Sequence, residues 1–186
     1  MTENNATEIA LSKARLAKLL VFSVLFLAVG VWMITADPQA SNPFFNNPII
    51  KAIGMYGSVV MGVFGIYFFT RKLSDNKPGL VLSDKGITDN TSAFKFGLIP
   101  WSDISGVHET YVQASATAKQ YFLTIGLVDP EKYISAATNS LKRKLLMINY
   151  KSYGSPIHIA TNGLKSDHKD LLLMINEYFE KYGIVK

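Results

Sequence analysis

The stretch GLVLSDKGITDNTSAFKFGLIPWSDI, residues 79–104, decides what kind of domain this chain carries. The apolar runs 80–83 and 87–88 flank Asp84-Lys85-Gly86, with glycine where the turn wants a left-handed residue, so the pair reads as a tight hairpin. Asp89 to Ser92 supplies a second turn. Phe94, Phe96 and Leu98 then alternate with Lys95 and Gly97, a period of two that marks a strand with one buried face. Pro100 has no N–H to give a central ladder, so this strand bends or lies at an edge there.

Toward the C-terminus, residues 105–112 and YFLTIGLV (121–128) continue a meander. DPEKYISAATNSLKRKL (129–145) has Asp129 at an N-cap, Pro130 at the first helical position and Lys142-Arg143-Lys144 near its end, which predicts one inserted helix. Residues 146–150 and PIHIA (156–160) read as two further strands, for about seven antiparallel strands in all. In 166–183, Ser166 is the expected N-cap and Gly183 the expected C′ residue of a helix whose Leu171, Leu172, Ile175, Tyr178, Phe179 and Tyr182 form one apolar stripe. Such a stripe needs a sheet to cover, so an α+β domain with a C-terminal amphipathic helix is expected.

Toward the N-terminus the texture changes across a polar linker, 73–78. Residues 17–36, AKLLVFSVLFLAVGVWMITA, carry one early cation and then no charge, and 20 residues rise about 30 Å, the hydrocarbon thickness. Residues 49–69 are a second apolar run, with Lys51 placed to snorkel. A cleaved signal peptide is the competing reading of the first run, but its apolar core is longer than a signal h-region. The loop 37–48 is rich in Pro and Asn, and its Phe44 and Phe45 suit the headgroup zone. Lys13, Arg15 and Lys18 flank the pair on one side and Arg71, Lys72 and Lys77 on the other. The positive-inside rule therefore places both termini in the cytoplasm. This gives a cytosolic segment 1–16, a helical hairpin 17–72 and a cytosolic domain 79–186. Gly54, Ser58 and Gly62 recur every four residues, a small-residue stripe for packing inside the hairpin or for dimerisation.

Composition narrows the chemistry. The chain has no cysteine, which removes thiolate catalysis, disulfides and Cys-based metal sites. Residues 1–72 hold six Lys/Arg against three Asp/Glu and residues 73–186 hold thirteen against eleven, too even a balance for a nucleic-acid binder.

The order of two apolar helices, a hairpin built on Gly79, Leu80, Leu82, Gly86 and Ile87, a strand with Ile99, Pro100, Trp101, Asp103 and Ile104, and a late strand with Pro156, Ile157 and Ile159 resembles a family of small bacterial two-helix membrane proteins with a pleckstrin-homology-like domain. The resemblance spans nearly the whole chain. It implies a bent β-barrel capped by the last helix, the bacterial inner membrane as location, and no catalytic residues.

Candidate chemistry is sparse. His108, His158 and His168 lack a metal-ligand spacing, and Asp84, Asp89 and Asp103 are explained as turn formers or caps. Ser102 and Ser105 lack a nucleophile-elbow context, and no phosphate-binding glycine loop occurs. Lys142, Arg143 and Lys144, with Lys151 nearby, are candidate contacts for anionic lipid, against the plainer reading of a helix end favouring its own dipole. The expectation is a non-enzymatic membrane protein without cofactor or metal, its domain binding membrane lipids, a protein partner or another copy. The alternative is an enzyme or small-molecule sensor with a barrel pocket lined by Trp101, Tyr111 and Tyr121.

Overall fold

The computed structural model of the chain describes residues 6–92, 94–113 and 119–183, and these form two units. Lys13–Asn76 is one; residues 6–12 and 77–183 together make the other.

The second unit begins with a strand, β1 (Thr7–Ile9), that precedes both apolar helices in the chain. The helical unit follows, with α1 (Lys13–Ala36) and α2 (Pro48–Ser74) joined by a loop that holds a 3-10 turn at Pro43–Asn46. Asn47 caps α2 through its side-chain oxygen, which accepts from the Ile49 N–H at 3.0 Å, and Pro48 takes the first helical position, where its missing N–H costs nothing. At the other end Lys13 Nζ donates to the carbonyls of Leu73 and Asp75, each at 2.6 Å, and satisfies acceptors that the end of α2 leaves open. Lys51 pairs with Asp37 across the loop, so its ammonium is held by a partner in the chain. Only 6% of each helix's apolar window is buried, unlike a core helix, and both helices are long and apolar enough to cross a membrane.

The other unit is a pair of antiparallel sheets. The first has the order β1-β2-β3-β4, with β2 (Leu80–Ser83), β3 (Gly86–Asp89) and β4 (Leu98–Pro100). Its hairpin pairs Ser83 with Gly86 around Asp84 and Lys85. Gly86 has φ 151°, and a Cβ there would run into the Ile99 carbonyl of β4, so two constraints select glycine at once. β1 pairs with β2 in the register Thr7–Leu82 and Ile9–Leu80. The same segment is stitched further by Ser12 N–H to the Gly163 carbonyl and Lys165 N–H to the Ala10 carbonyl.

A 3-10 turn at Trp101–Asp103 leads into the second sheet, β5-β6-β7: β5 (Ile104–Gln113), β6 (Lys119–Leu127) and β7 (His158–Ala160). Between β6 and β7 come α3 (Pro130–Ser135) and α4 (Ser140–Tyr153), and the domain ends in α5 (His168–Tyr182). α5 packs on β2, β5 and β6, and its Leu171 and Ile175 are fully buried, as are Leu80, Leu82, Ile87, Leu123, Ile125 and Ile159 of the sheets. Trp101 stacks on Tyr178 at 6.2 Å and gives its indole N–H to the Ser83 carbonyl at 2.8 Å.

Several expectations are corrected. The sheets are open, four strands and three, and do not close into a barrel. Seven strands are present among the described residues, but β1 replaces one read at 146–150, which lies inside α4. The helix expected over 129–145 is two, because Asn139 starts a new helix by accepting from the Leu141 N–H at 2.8 Å. Leu146 and Tyr150, four apart, then face a small core with Ile134 and Ala137, a helical spacing that an apolar run of five disguises as a strand. Phe94 and Phe96 pack onto this core and belong to no strand. Pro100 does end an edge strand, as its missing N–H requires. The N-cap of α5 is Asp167, one residue after Ser166, and Gly183 is extended, whereas Gly154 after α4 is the left-handed cap at φ 77°. Residues 1–5 and 184–186 of the expected segments lie outside the described residues.

Candidate functional site

α4 has two apolar sides. Leu146 is fully buried on the inner one, while Leu141, Leu145 and Ile148 are 63%, 39% and 48% exposed. At about 100° per residue, these three and exposed Ser152 fall within roughly 60° of one another on the helix surface, with Lys144 and Lys151 on one flank and Lys142 on the other. The helix carries four Lys/Arg and no acid, and residues 132–166 as a whole contain six Lys/Arg and no Asp or Glu.

The three basic residues singled out from sequence take different roles. Lys142 lies over the rings of Phe94 and Phe96, at 5.9 and 5.2 Å to their centroids, where its stem covers apolar surface. Arg143 reaches back along the surface and donates to the carbonyls of Ser135 and Ala137 at 3.3 and 3.0 Å, capping the end of α3. Lys144 is exposed beside the stripe.

In the helical unit the small-residue stripe divides in the same way. A Cβ on Gly62 would stand 2.7 Å from Leu27 of α1, so this glycine lets the two backbones meet. Ser58 returns its hydroxyl to the Gly54 carbonyl at 2.5 Å, and a Cβ on Gly54 would meet only Met33, at an ordinary 3.7 Å. Gly30 and Gly65, outside the predicted stripe, are the other close approaches, to Val59 and to Ser23. These contacts all lie within the hairpin.

Three polar clusters occupy the domain. Asp103 Oδ2 accepts from Lys132 Nζ at 2.6 Å and from the Tyr133 hydroxyl at 2.7 Å, and these bonds hold its carboxyl below the usual range. Burial, and then the Asp103 carboxylate, push the Tyr133 hydroxyl well above its ordinary value. The group pins α3 to the turn after β4. His168 Nε2 meets Glu109 Oε2 at 2.7 Å while its Nδ1 lies 3.2 Å from Thr161 Oγ1. Carboxylate, imidazole and hydroxyl is the order of a nucleophile relay, but Thr161 is only 5% exposed and the cluster fastens the first turn of α5 onto β5. Tyr121 and Tyr111 extend it outward as a ring ladder, and Lys119 sits 4.1 Å over Tyr111.

The third cluster is a row across the second sheet in which Thr124 is opposite both His108 and His158. Thr124 donates to Thr110 Oγ1 at 2.7 Å, which leaves its oxygen to accept from His158 Nδ1 at 2.9 Å. His158 Nε2 is then buried with no hydrogen-bond partner among the described residues. Burial lowers the imidazole's pKa, a hydrogen bond with the Ser155 backbone opposes the shift, and His108 adds to the lowering.

The alternative pocket is not assembled. Trp101 is buried against α5, while Tyr111 and Tyr121 are exposed on the β5–β6 pair. Asp89 takes the turn role expected of it, accepting from the N–H and hydroxyl of Thr91. Among the described residues no three His, Asp or Glu side chains gather as a metal ion would require.

Sequence reasoning missed the exposed stripe because it split α4 at Leu145, assigning half to a helix and half to a strand. The 141/145/148 spacing after a capping Asn139 was the signal. No protein family, curated protein or solved structure matches the chain.

Proposed function

We propose that this chain is a two-pass protein of the bacterial inner membrane whose cytoplasmic domain is a non-enzymatic binding module. The observation that carries the reading is β1. A strand before α1 is paired in register with a strand after α2, so the chain leaves and re-enters one folded unit around two apolar helices. A folded domain cannot be threaded through a bilayer, which makes an even number of crossings the consistent arrangement. The basic residues at the outer ends, Lys13, Arg15, Lys18, Arg71 and Lys72, favour the cytoplasm for that unit.

The pleckstrin-homology-like reading is supported by the division into four and three strands with a closing helix. In this reading the membrane hairpin interrupts the β1–β2 connection and α3 with α4 interrupts the β6–β7 connection. A binding role is supported by the Asp103 and Glu109–His168 clusters, both of which are consumed in fastening elements together. Membrane lipids, a protein partner or a second copy are the proposed partners, and nucleic acid is not among them.

The chain has no cysteine, so single cysteines report topology directly. Ser41→Cys in the loop is expected to react with a membrane-impermeant maleimide in intact cells, and Asp84→Cys only after lysis. Labelling of Asp84→Cys in intact cells would reject the cytoplasmic assignment.

A further inference from the structure

We propose that the exposed face of α4 docks in the interfacial plane of an anionic bilayer; the inference rests on the two-pass reading above. Leu141, Leu145 and Ile148 form an apolar stripe that the domain itself does not cover, while the opposite side of the helix is committed to the core through Leu146 and Tyr150. Lysines border the stripe on both sides, Lys142 on one and Lys144 and Lys151 on the other. That is the arrangement of a helix lying flat at a membrane, with its apolar side among acyl chains and its lysine stems reaching back to phosphates. α4 itself carries no carboxylate.

Two further points choose lipid over a protein. Three aliphatic side chains bury far too little surface for a stable dimer, which needs on the order of 1,000 Å². They suffice for a tethered domain, because the bilayer is then always present at high effective concentration. The tethers are short: Leu11 is already bridged to Leu164 two residues before α1 begins, and only residues 75–79 separate α2 from β2. Each lysine near an anionic surface adds to the attraction, and Lys142, Lys144 and Lys151 border the stripe, while Arg143 is held by the carbonyls of Ser135 and Ala137.

The test uses the full chain carrying Ser152→Cys, an exposed position at the end of the stripe, labelled with an environment-sensitive fluorophore. The protein is reconstituted in nanodiscs of phosphatidylcholine alone or with about 30% phosphatidylglycerol, each with a headgroup-proximal spin-labelled lipid as quencher. Docking predicts a blue shift and at least about twofold stronger quenching with phosphatidylglycerol, reversed by high salt. It also predicts loss of both signals in Lys144→Gln/Lys151→Gln and in Leu145→Gln/Ile148→Gln, exposed substitutions that leave the core intact. A label that stays aqueous in both membranes overturns the proposal. So does a blue shift that is equal in neutral discs or survives both double variants, the result expected for self-association. Alkaline extraction and loop labelling of the same preparations read the two-pass arrangement separately. A chain that resists extraction but keeps an aqueous label rejects docking alone, and an extracted chain rejects the two-pass reading.

Discussion

Gly86 joins backbone strain to packing at a single atom. Its φ of 151° disfavours any side chain, and the Ile99 carbonyl occupies the place of a Cβ. Gly86→Ala is expected to cost about 2–4 kcal/mol, the two terms together. Gly106→Ala, where a Cβ meets nothing within 4 Å, is expected to stay within about 1 kcal/mol. Urea unfolding of the detergent-solubilised protein in a Trp32→Phe background, followed by Trp101 fluorescence, measures both, and equal losses would refute the steric argument. His158 offers a different measurement. Its pKa is lowered in the folded domain by burial, so the unfolded chain binds the proton more readily. Stability is therefore fully present above the ordinary imidazole value of about 6.5 and is lost as pH falls through the lower folded value. Thr124 and His108 are the polar groups opposite this imidazole in the sheet. Between about pH 7 and pH 5 the unfolding midpoint should fall, and His158→Gln should flatten that slope while His108→Gln leaves most of it. An unchanged slope in His158→Gln would assign the pH dependence elsewhere.

At the scale of elements, β1 is the piece on which the domain's first sheet depends for its edge. Ile9 is 7% exposed and opposite Leu80, whereas Glu8 points to solvent. Ile9→Ala is expected to destabilise the domain by about 2–4 kcal/mol, and Glu8→Ala by under about 0.5 kcal/mol. Hydrogen exchange of the β2 amides would show whether the loss is local to this sheet, and protection unchanged in Ile9→Ala would mean that β1 contributes nothing. The hairpin of β2 and β3 was legible in sequence because glycine, Asp84 and alternating apolar residues all act within a few positions. β1 was not, since three residues, Thr-Glu-Ile, carry no periodicity and their partner lies some 70 residues on, beyond both apolar helices. α4 was half legible. Its charges read as helix, but LMINY has strand composition, and only the core formed with Ile134 and Ala137 decides the matter. The candidate docking face depends on the same helical assignment, which its lysines alone do not supply. Gly62 was found because helix–helix contact obeys a four-residue spacing that a single helix already displays.

At the scale of the molecule, the helical hairpin is an insertion between two paired strands, and that arrangement makes it separable. Ile9 and Leu80 are opposite one another, and the Gly79 N–H bonds the Ile9 carbonyl at 2.8 Å, so the ends that the hairpin joins are already adjacent. Replacing residues 13–76 by about six Gly and Ser residues between Ser12 and Lys77 would turn β1 and β2 into an ordinary hairpin, with a loop-closure cost that changes slowly with length. The expected product is a soluble, cooperatively unfolding domain that keeps the Trp101–Tyr178 stacking and a folded α5. A matched chain that starts at Lys77 and lacks β1 is expected to lose cooperativity and to expose the β2 edge to aggregation. Circular dichroism, near-ultraviolet spectra and thermal melts of the two chains decide the point. If the linked domain aggregates as readily as the truncated one, the helices contribute to its fold and the domain is not autonomous.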